Sequence, residues 1–183
     1  MTETSERYAK LAGQMADRIA AVPADGWDAV TPCEGWTARD LLDHLIDGPV
    51  GLFATVGLDP LPPGPDRGED PVGAFTQVTD AVKAGLEDPA VASAGFDTPV
   101  GPQTFESTVS QFICGDLVVH QWDLARATGQ DEALDPEEVR SMHANLLPMD
   151  EFLRAPGIFG PKVEPPADAD EQTALLCFLG RQV

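Results

Sequence analysis

Apolar residues in this chain recur at steps of three and four, and the segments that do so are separated by proline- and glycine-rich stretches that no regular element tolerates. Tyr8, Leu11, Met15, Ile19 and Val22 set the pattern, which stops before Pro23. A stripe repeating every 3.6 residues runs along one side of an α-helix, so these residues form a buried face and the polar positions between them face water. Leu41, Leu42 and Leu45 supply the next apolar surface, then Phe75, Val78, Val82 and Leu86, and then Phe105, Val109, Phe112, Leu117, Leu124 and Ala127. No segment alternates convincingly with the period of two that a half-buried strand requires. The expectation is an all-α protein.

Local chemistry marks the ends of these helices. Thr37 offers a hydroxyl to the free amides of a following turn, and Asp40, three residues on, completes a capping box. Gly48 and Pro49 threaten this second helix, because proline has no amide hydrogen and its ring meets the carbonyl four residues back; a kink or an end is expected there, with resumption over VGLFATVG. Leu58 to Pro71 is too dense in proline, glycine and acid to be anything but a loop, and Pro89 to Gln103 reads as irregular. A fourth helix is expected over about Thr104–Thr128, capped by Gly129. Asp135-Pro136-Glu137-Glu138 is a helix start, with the fifth helix running to about Phe152, an extended tail over Pro156–Asp168, and a short last helix from about Asp170 to Leu179 that stops at Gly180.

At 183 residues the chain is long enough for one self-sufficient core. It contains no run approaching the roughly 20 apolar residues that span a bilayer, and MTETSERYAK lacks the basic-then-apolar order of a signal peptide, so a cytoplasmic protein with no membrane partner is expected. A net charge of −20, from 31 acidic against 11 basic residues, repels phosphate backbones and argues against nucleic acid as a partner. The cysteines, Cys33, Cys114 and Cys177, are odd in number and far apart, which excludes a disulfide framework and a cysteine zinc knuckle and leaves reduced thiols. Cys33 stands apart from the other two because it precedes the helix that carries His44.

The chemistry concentrates in DLVVHQWDLARATG, Asp116 to Gly129. Asp116 and His120 are four apart and project from one helix face on successive turns, a spacing that lets two side chains hold one ion. His44, in DLLDHL, is the natural third ligand, since a catalytic zinc takes three protein ligands and keeps a position open. The expected metal site is therefore His44, Asp116 and His120. Such a pair also arises by chance on solvated helix faces, but an unpaired imidazole among Leu, Val and Trp would be expensive to bury. Asp123, on the same face, is either a further ligand or the holder of an imidazole proton; a structural role, fixing Arg126 or a helix end, is preferred. Asp40 is explained by its cap. Trp36 and Trp122 flank the site as pocket walls or as core. His143 has no partner at ligand spacing. No GxSxG and no GxGxxG after a strand is present.

HQWDLARATG, the earlier TPCEGWTARDLLDHL and the closing FGPKV and FLGR occur in an order that resembles an actinobacterial group of small metal-binding proteins. That group is similar to the N-terminal domain of mycothiol-dependent maleylpyruvate isomerase, among the DinB-like metalloenzymes, and the resemblance runs from about Leu11 to the end. It implies a DinB/YfiT-like four-helix bundle with additional short helices, and it implies that the metal is held by His44, Asp116 and His120. Asp116 departs from the glutamate of the isomerase and is one methylene shorter. The resemblance also implies mycothiol, or another low-molecular-weight thiol, as cosubstrate of a transferase or isomerase. The isomerase has a further C-terminal domain that contributes to its active site, and this chain ends soon after FLGR, so maleylpyruvate isomerisation itself is not expected.

Zinc is the first expectation for the ion, with nickel, iron and manganese accepting the same donors. A metal that activates a thiol or water for a small-molecule substrate is the first functional expectation. The alternative is a non-catalytic module that stores or senses a metal or small ligand, as a homodimer. The third is a structural bundle that has lost its metal. An open coordination position separates the first from the others.

Overall fold

A computed structural model of the protein describes residues 2–98, 101–154 and 160–183. The chain is mainly helical: α1 spans Glu3–Ala20, α2 Ala38–Thr55, α3 Pro71–Glu87 and α4 Pro89–Ala92, followed by a pair of short strands, β1 (Gly95–Thr98) and β2 (Gly101–Thr104). A long helical run comes next, made of α5 (Phe105–Thr108), a π-helical turn (Val109–Ile113) and α6 (Cys114–Thr128). It is followed by α7 (Pro136–Leu146), a 3-10 turn (Leu147–Met149), α8 (Asp150–Leu153) and α9 (Glu171–Phe178). No helix among the described residues is long and apolar enough to cross a membrane.

The caps explain most of these boundaries. Thr37 Oγ1 accepts from the Asp40 amide while Asp40 Oδ2 accepts from the Thr37 amide at 2.8 Å, the reciprocal box that starts α2. Asp135 accepts from the amides of Glu137 and Glu138 at the start of α7. Gly129 ends α6 in the left-handed region at φ 71°, which its missing side chain permits.

The core centres on the apolar faces of α1, α2, α3 and α6, and Phe105, Val109, Val139, Leu175 and Leu176 extend it. α1 packs on α3 and on α6, and α2 also packs on α3 and on α6. Tyr8, Leu11, Met15 and Ile19 from α1 meet Leu41, Leu42 and Leu45 from α2, Phe75, Val78 and Val82 from α3, and Leu117, Trp122 and Leu124 from α6 in a single cluster. α7 is fastened to α1 by the Arg7–Glu138 pair at 2.8 Å and lies against α9.

The structure refines the sequence expectation at several points, among them the short helix α4 at Pro89–Ala92 within a stretch expected to be irregular. Residues 95–98 and 101–104 are not irregular but form an antiparallel strand pair, with Gly95 opposite Thr104 and Thr98 opposite Gly101, so the chain is mainly rather than entirely helical. The second helix does not end at Pro49 but runs on to Thr55 as the expected resumption allows, with Leu45, Ile46, Leu52 and Phe53 all buried on either side of the lost hydrogen bond. Phe112 is not core but 43% exposed, because the π turn, in which the Cys114 amide reaches back to the Val109 carbonyl, adds a residue to the helix and hands the buried position to Cys114. The fifth helix changes to a 3-10 turn at Leu147–Met149, where Pro148 cannot donate. The expected tail lies partly outside the described residues.

Candidate metal centre

Helix α2 contributes His44 and helix α6 contributes Asp116 and His120. Because α2 packs on α6, the spacing that puts Asp116 and His120 on one face of α6 also turns them toward α2. His44 Nε2 lies 3.3 Å from Asp116 Oδ2, and the His44 and His120 rings meet edge to face with centroids 5.2 Å apart. One ligand-type atom from each of His44, Asp116 and His120 falls within 4.8 Å of the others. The structure thus brings together all three residues that the sequence singled out. Their donor set, two imidazoles and one carboxylate, suits a divalent transition ion and leaves room for a further ligand.

The cluster is open on one side and closed on the other. The His44 and Asp116 side chains are 36% and 45% exposed, whereas those of His120 and Asp123 are 8% and 0%. Trp36 stands at the rim, its ring centroid 4.9 Å from that of His44 and 6.0 Å from that of His120, so it walls the mouth. Trp122 does not: it is fully buried in the core, with the Arg126 guanidinium over its ring at 5.1 Å.

Behind His120 is a second layer. Asp123 Oδ2 lies 2.9 Å from His120 Nδ1 and 2.9 Å from Arg181 Nη2, and Asp123 Oδ1 lies 3.3 Å from Arg181 Nε. Burial would raise the Asp123 carboxyl, but the bonds from His120 and Arg181 outweigh it and hold the group below its ordinary value. An ionised carboxylate only accepts, so Nδ1 of His120 is the donor of this bond. Asp123 therefore orients an imidazole and binds Arg181. It does not fix Arg126, which pairs with Glu132 at 2.8 Å.

Cys33, from the loop before α2, closes this layer. Its thiol donates to Asp123 Oδ2 at 3.3 Å and accepts from Arg181 Nη2 at 3.5 Å. Burial, reinforced by the Asp123 charge, pushes the thiol up to about 12, so it stands protonated at neutral pH. The hydrogen bond to Asp116 holds His44 above its ordinary value against the opposing effect of burial. Arg181 belongs to the FLGR motif, but nothing local in the sequence assigns it to this cluster. Asp40 does what its position suggests and caps α2, and His143 packs against Phe178 away from the site, with ring centroids 5.7 Å apart.

Fold and cluster together define a mainly helical protein with a half-open histidine–carboxylate cluster between two packed helices. Residues 8–57, which span α1, the Cys33 loop and α2, match the family described as the mycothiol maleylpyruvate isomerase N-terminal domain. Across 90% of its length the chain is also 34% identical to two uncharacterized proteins of Mycobacterium tuberculosis, MT0763 of strain CDC 1551 / Oshkosh and Rv0738 of strain ATCC 25618 / H37Rv, and it covers 90% of each. The chain belongs to one family with these mycobacterial proteins, and its residues 8–57 carry the match to the mycothiol maleylpyruvate isomerase N-terminal domain. No solved structure matches it significantly.

Proposed function

We propose that this protein is a divalent-metal-dependent enzyme on a DinB/YfiT-like four-helix bundle, that the ion is held by His44, Asp116 and His120, and that it activates mycothiol or another low-molecular-weight thiol for transfer or isomerisation in the cytoplasm. The observation that carries the reading is the convergence of three ligand-type side chains from α2 and α6 within 4.8 Å. The bundle reading draws on the closed circuit of helix contacts, α1 on α3, α3 on α2, α2 on α6 and α6 on α1. Zinc fits two neutral imidazoles and one carboxylate and is the first choice of ion.

A bound divalent ion would supply Lewis acidity, lowering the pKa of a thiol or water that it coordinates. The chain's own residues supply the rest. Asp123 accepts the bond from His120 Nδ1, so Nε2 is the atom that would hold an ion. Trp36 gives the mouth an apolar wall against which an uncharged substrate surface can lie. The half-exposed His44 and Asp116 leave the site reachable from solvent, as catalysis requires and storage does not. The engagement of Asp123 by Arg181 speaks against a closed site with four protein ligands, the arrangement that would favour a storage or sensing module.

Elemental analysis of untagged protein, purified without chelator beside a His120→Ala variant, tests the reading. Near-stoichiometric metal in the parent and its loss in the variant are expected, followed by metal-dependent consumption of mycothiol with an electrophilic substrate. No metal in the parent, even after reconstitution with zinc, removes the enzyme reading.

A further inference from the structure

His120 is shared by two sets of ligand-type side chains among the described residues: His44, Asp116 and His120 on the open side, and Cys33, His120 and Asp123 on the buried side. The buried set has 2.9 Å between His120 Nδ1 and Asp123 Oδ2, 3.3 Å between Cys33 Sγ and the same oxygen, and 3.9 Å between Sγ and Nδ1. Donors at the corners of a tetrahedron around zinc stand about 3.4 Å apart when both are nitrogen or oxygen, and about 3.6 Å when one is sulfur. The buried distances fall within about 0.5 Å of those values, so small side-chain shifts would turn the hydrogen-bonded trio into a thiolate metal site, and thiolate is a ligand that soft and borderline cations favour. An ion drawn there would leave His44 and Asp116 and would lie away from the open mouth.

A fixed cation stands where that ion would have to approach. Arg181 is 9% exposed and is anchored by donating to the Leu179 carbonyl at 3.1 Å. Its guanidinium contacts both carboxylate oxygens of Asp123, and its Nη2 also contacts Cys33 Sγ at 3.5 Å. Arginine stays charged at any working pH, and its flat fork suits a carboxylate as an ammonium does not. Two of the three buried ligands are thus already bound to a positive charge.

We propose that Arg181 selects between the two overlapping ligand sets: by holding Asp123 and Cys33 it closes the thiolate set to metal, and by keeping Asp123 as the acceptor of the His120 Nδ1 proton it directs Nε2 toward His44 and Asp116. This rests on the metal reading given above. Arg181 is a positioning residue that determines which ligands the ion takes, and it touches neither the ion nor a substrate.

Cobalt(II) distinguishes the two sets, because a cysteine ligand adds a sulfur-to-cobalt charge-transfer band in the near ultraviolet that imidazole and carboxylate do not. The untagged full chain, Arg181→Gln, and Arg181→Gln combined with Cys33→Ser are loaded with cobalt and their spectra compared. The parent binds cobalt without the band, Arg181→Gln acquires it, and the double variant loses it again. A parent that already shows the band overturns the proposal, as does an Arg181→Gln variant whose spectrum and cobalt affinity match the parent's. Should Arg181→Gln fail to fold, Arg181→Leu takes its place: it removes the charge and every donor to Asp123 and Cys33, so the band is again expected and its absence again overturns the proposal. A parent that takes up no cobalt overturns the metal reading itself, whereas a cobalt-binding parent with an unchanged Arg181 variant overturns this inference alone.

Discussion

Arg181 and Asp123 are 58 positions apart in the chain, yet Arg181 Nη2 lies 2.9 Å from Asp123 Oδ2. The same oxygen receives the His120 Nδ1 proton at 2.9 Å, so a single buried carboxylate ties the segment after α9 to the imidazole that α6 presents to α2. The orientation of His120 therefore depends on the far end of the chain.

That carboxylate makes stability depend on acid. Asp123 lies below its ordinary value of 3.8: burial pushes it up, and the bonds from His120 and Arg181 more than reverse this. A depressed folded value means stability that is fully present above 3.8 and is lost as pH falls through the lower folded value. Asp123→Asn should flatten this acid limb. At neutral pH it should also lower stability by about 3–5 kcal/mol, because Arg181 is left buried without its counter-charge. Urea unfolding of both proteins as a function of pH reads the two effects.

His44 has the opposite sign. Its hydrogen bond to Asp116 raises it above 6.5, burial opposes this, and the Asp47 charge adds to the rise. The pair therefore stabilises the metal-free protein below that value, and the contribution is lost as pH rises through the higher folded value. Asp116→Asn should bring the His44 titration down, followed by NMR of the imidazole. In the parent, metal affinity should fall as pH drops through the raised His44 value, because only the neutral ring binds a metal.

The start of α2 contributes to the site at a distance. Thr37 forms the capping box about two turns before His44, and Thr37→Ala removes the hydroxyl that accepts from the Asp40 amide. A loss of about 1 kcal/mol is expected, seen as a drop in melting temperature of roughly 2–4 °C. A variant as stable as the parent would mean that packing alone holds this helix start.

Gly85 is a packing position. A Cβ there would stand 2.9 Å from Phe105 Cζ and 3.2 Å from Val91 Cγ1, and Phe105 is fully buried. Gly85→Ala should therefore destabilise by about 1–3 kcal/mol through forced displacement of the Phe105 ring, measurable by denaturant unfolding. Secondary structure by circular dichroism should be unchanged.

The features legible in the sequence are those whose cause lies within one or two helical turns. The capping box of Thr37 and Asp40, the Asp135 start of α7, the Gly129 end of α6 and the shared face of Asp116 and His120 all follow from backbone geometry and side-chain chemistry close at hand. His44 was reachable only because histidines are few, three in the whole chain, and because a metal needs a third ligand. The π turn at Val109–Ile113, the short helix α4 and the pairing of β1 with β2 were not legible, since each is a local conformation held by the packing around it.

The sequence by itself determined the helices, their caps and the pairing of Asp116 with His120, because helical periodicity is an intrinsic property of the chain. Only the tertiary structure decided that Trp36 borders the cluster while Trp122 fills the core, and that Asp123 binds Arg181 rather than Arg126. These choices depend on which helix faces meet and on where a chain end docks. Burial removes the competition of water only after the whole core has formed, so no local pattern encodes them.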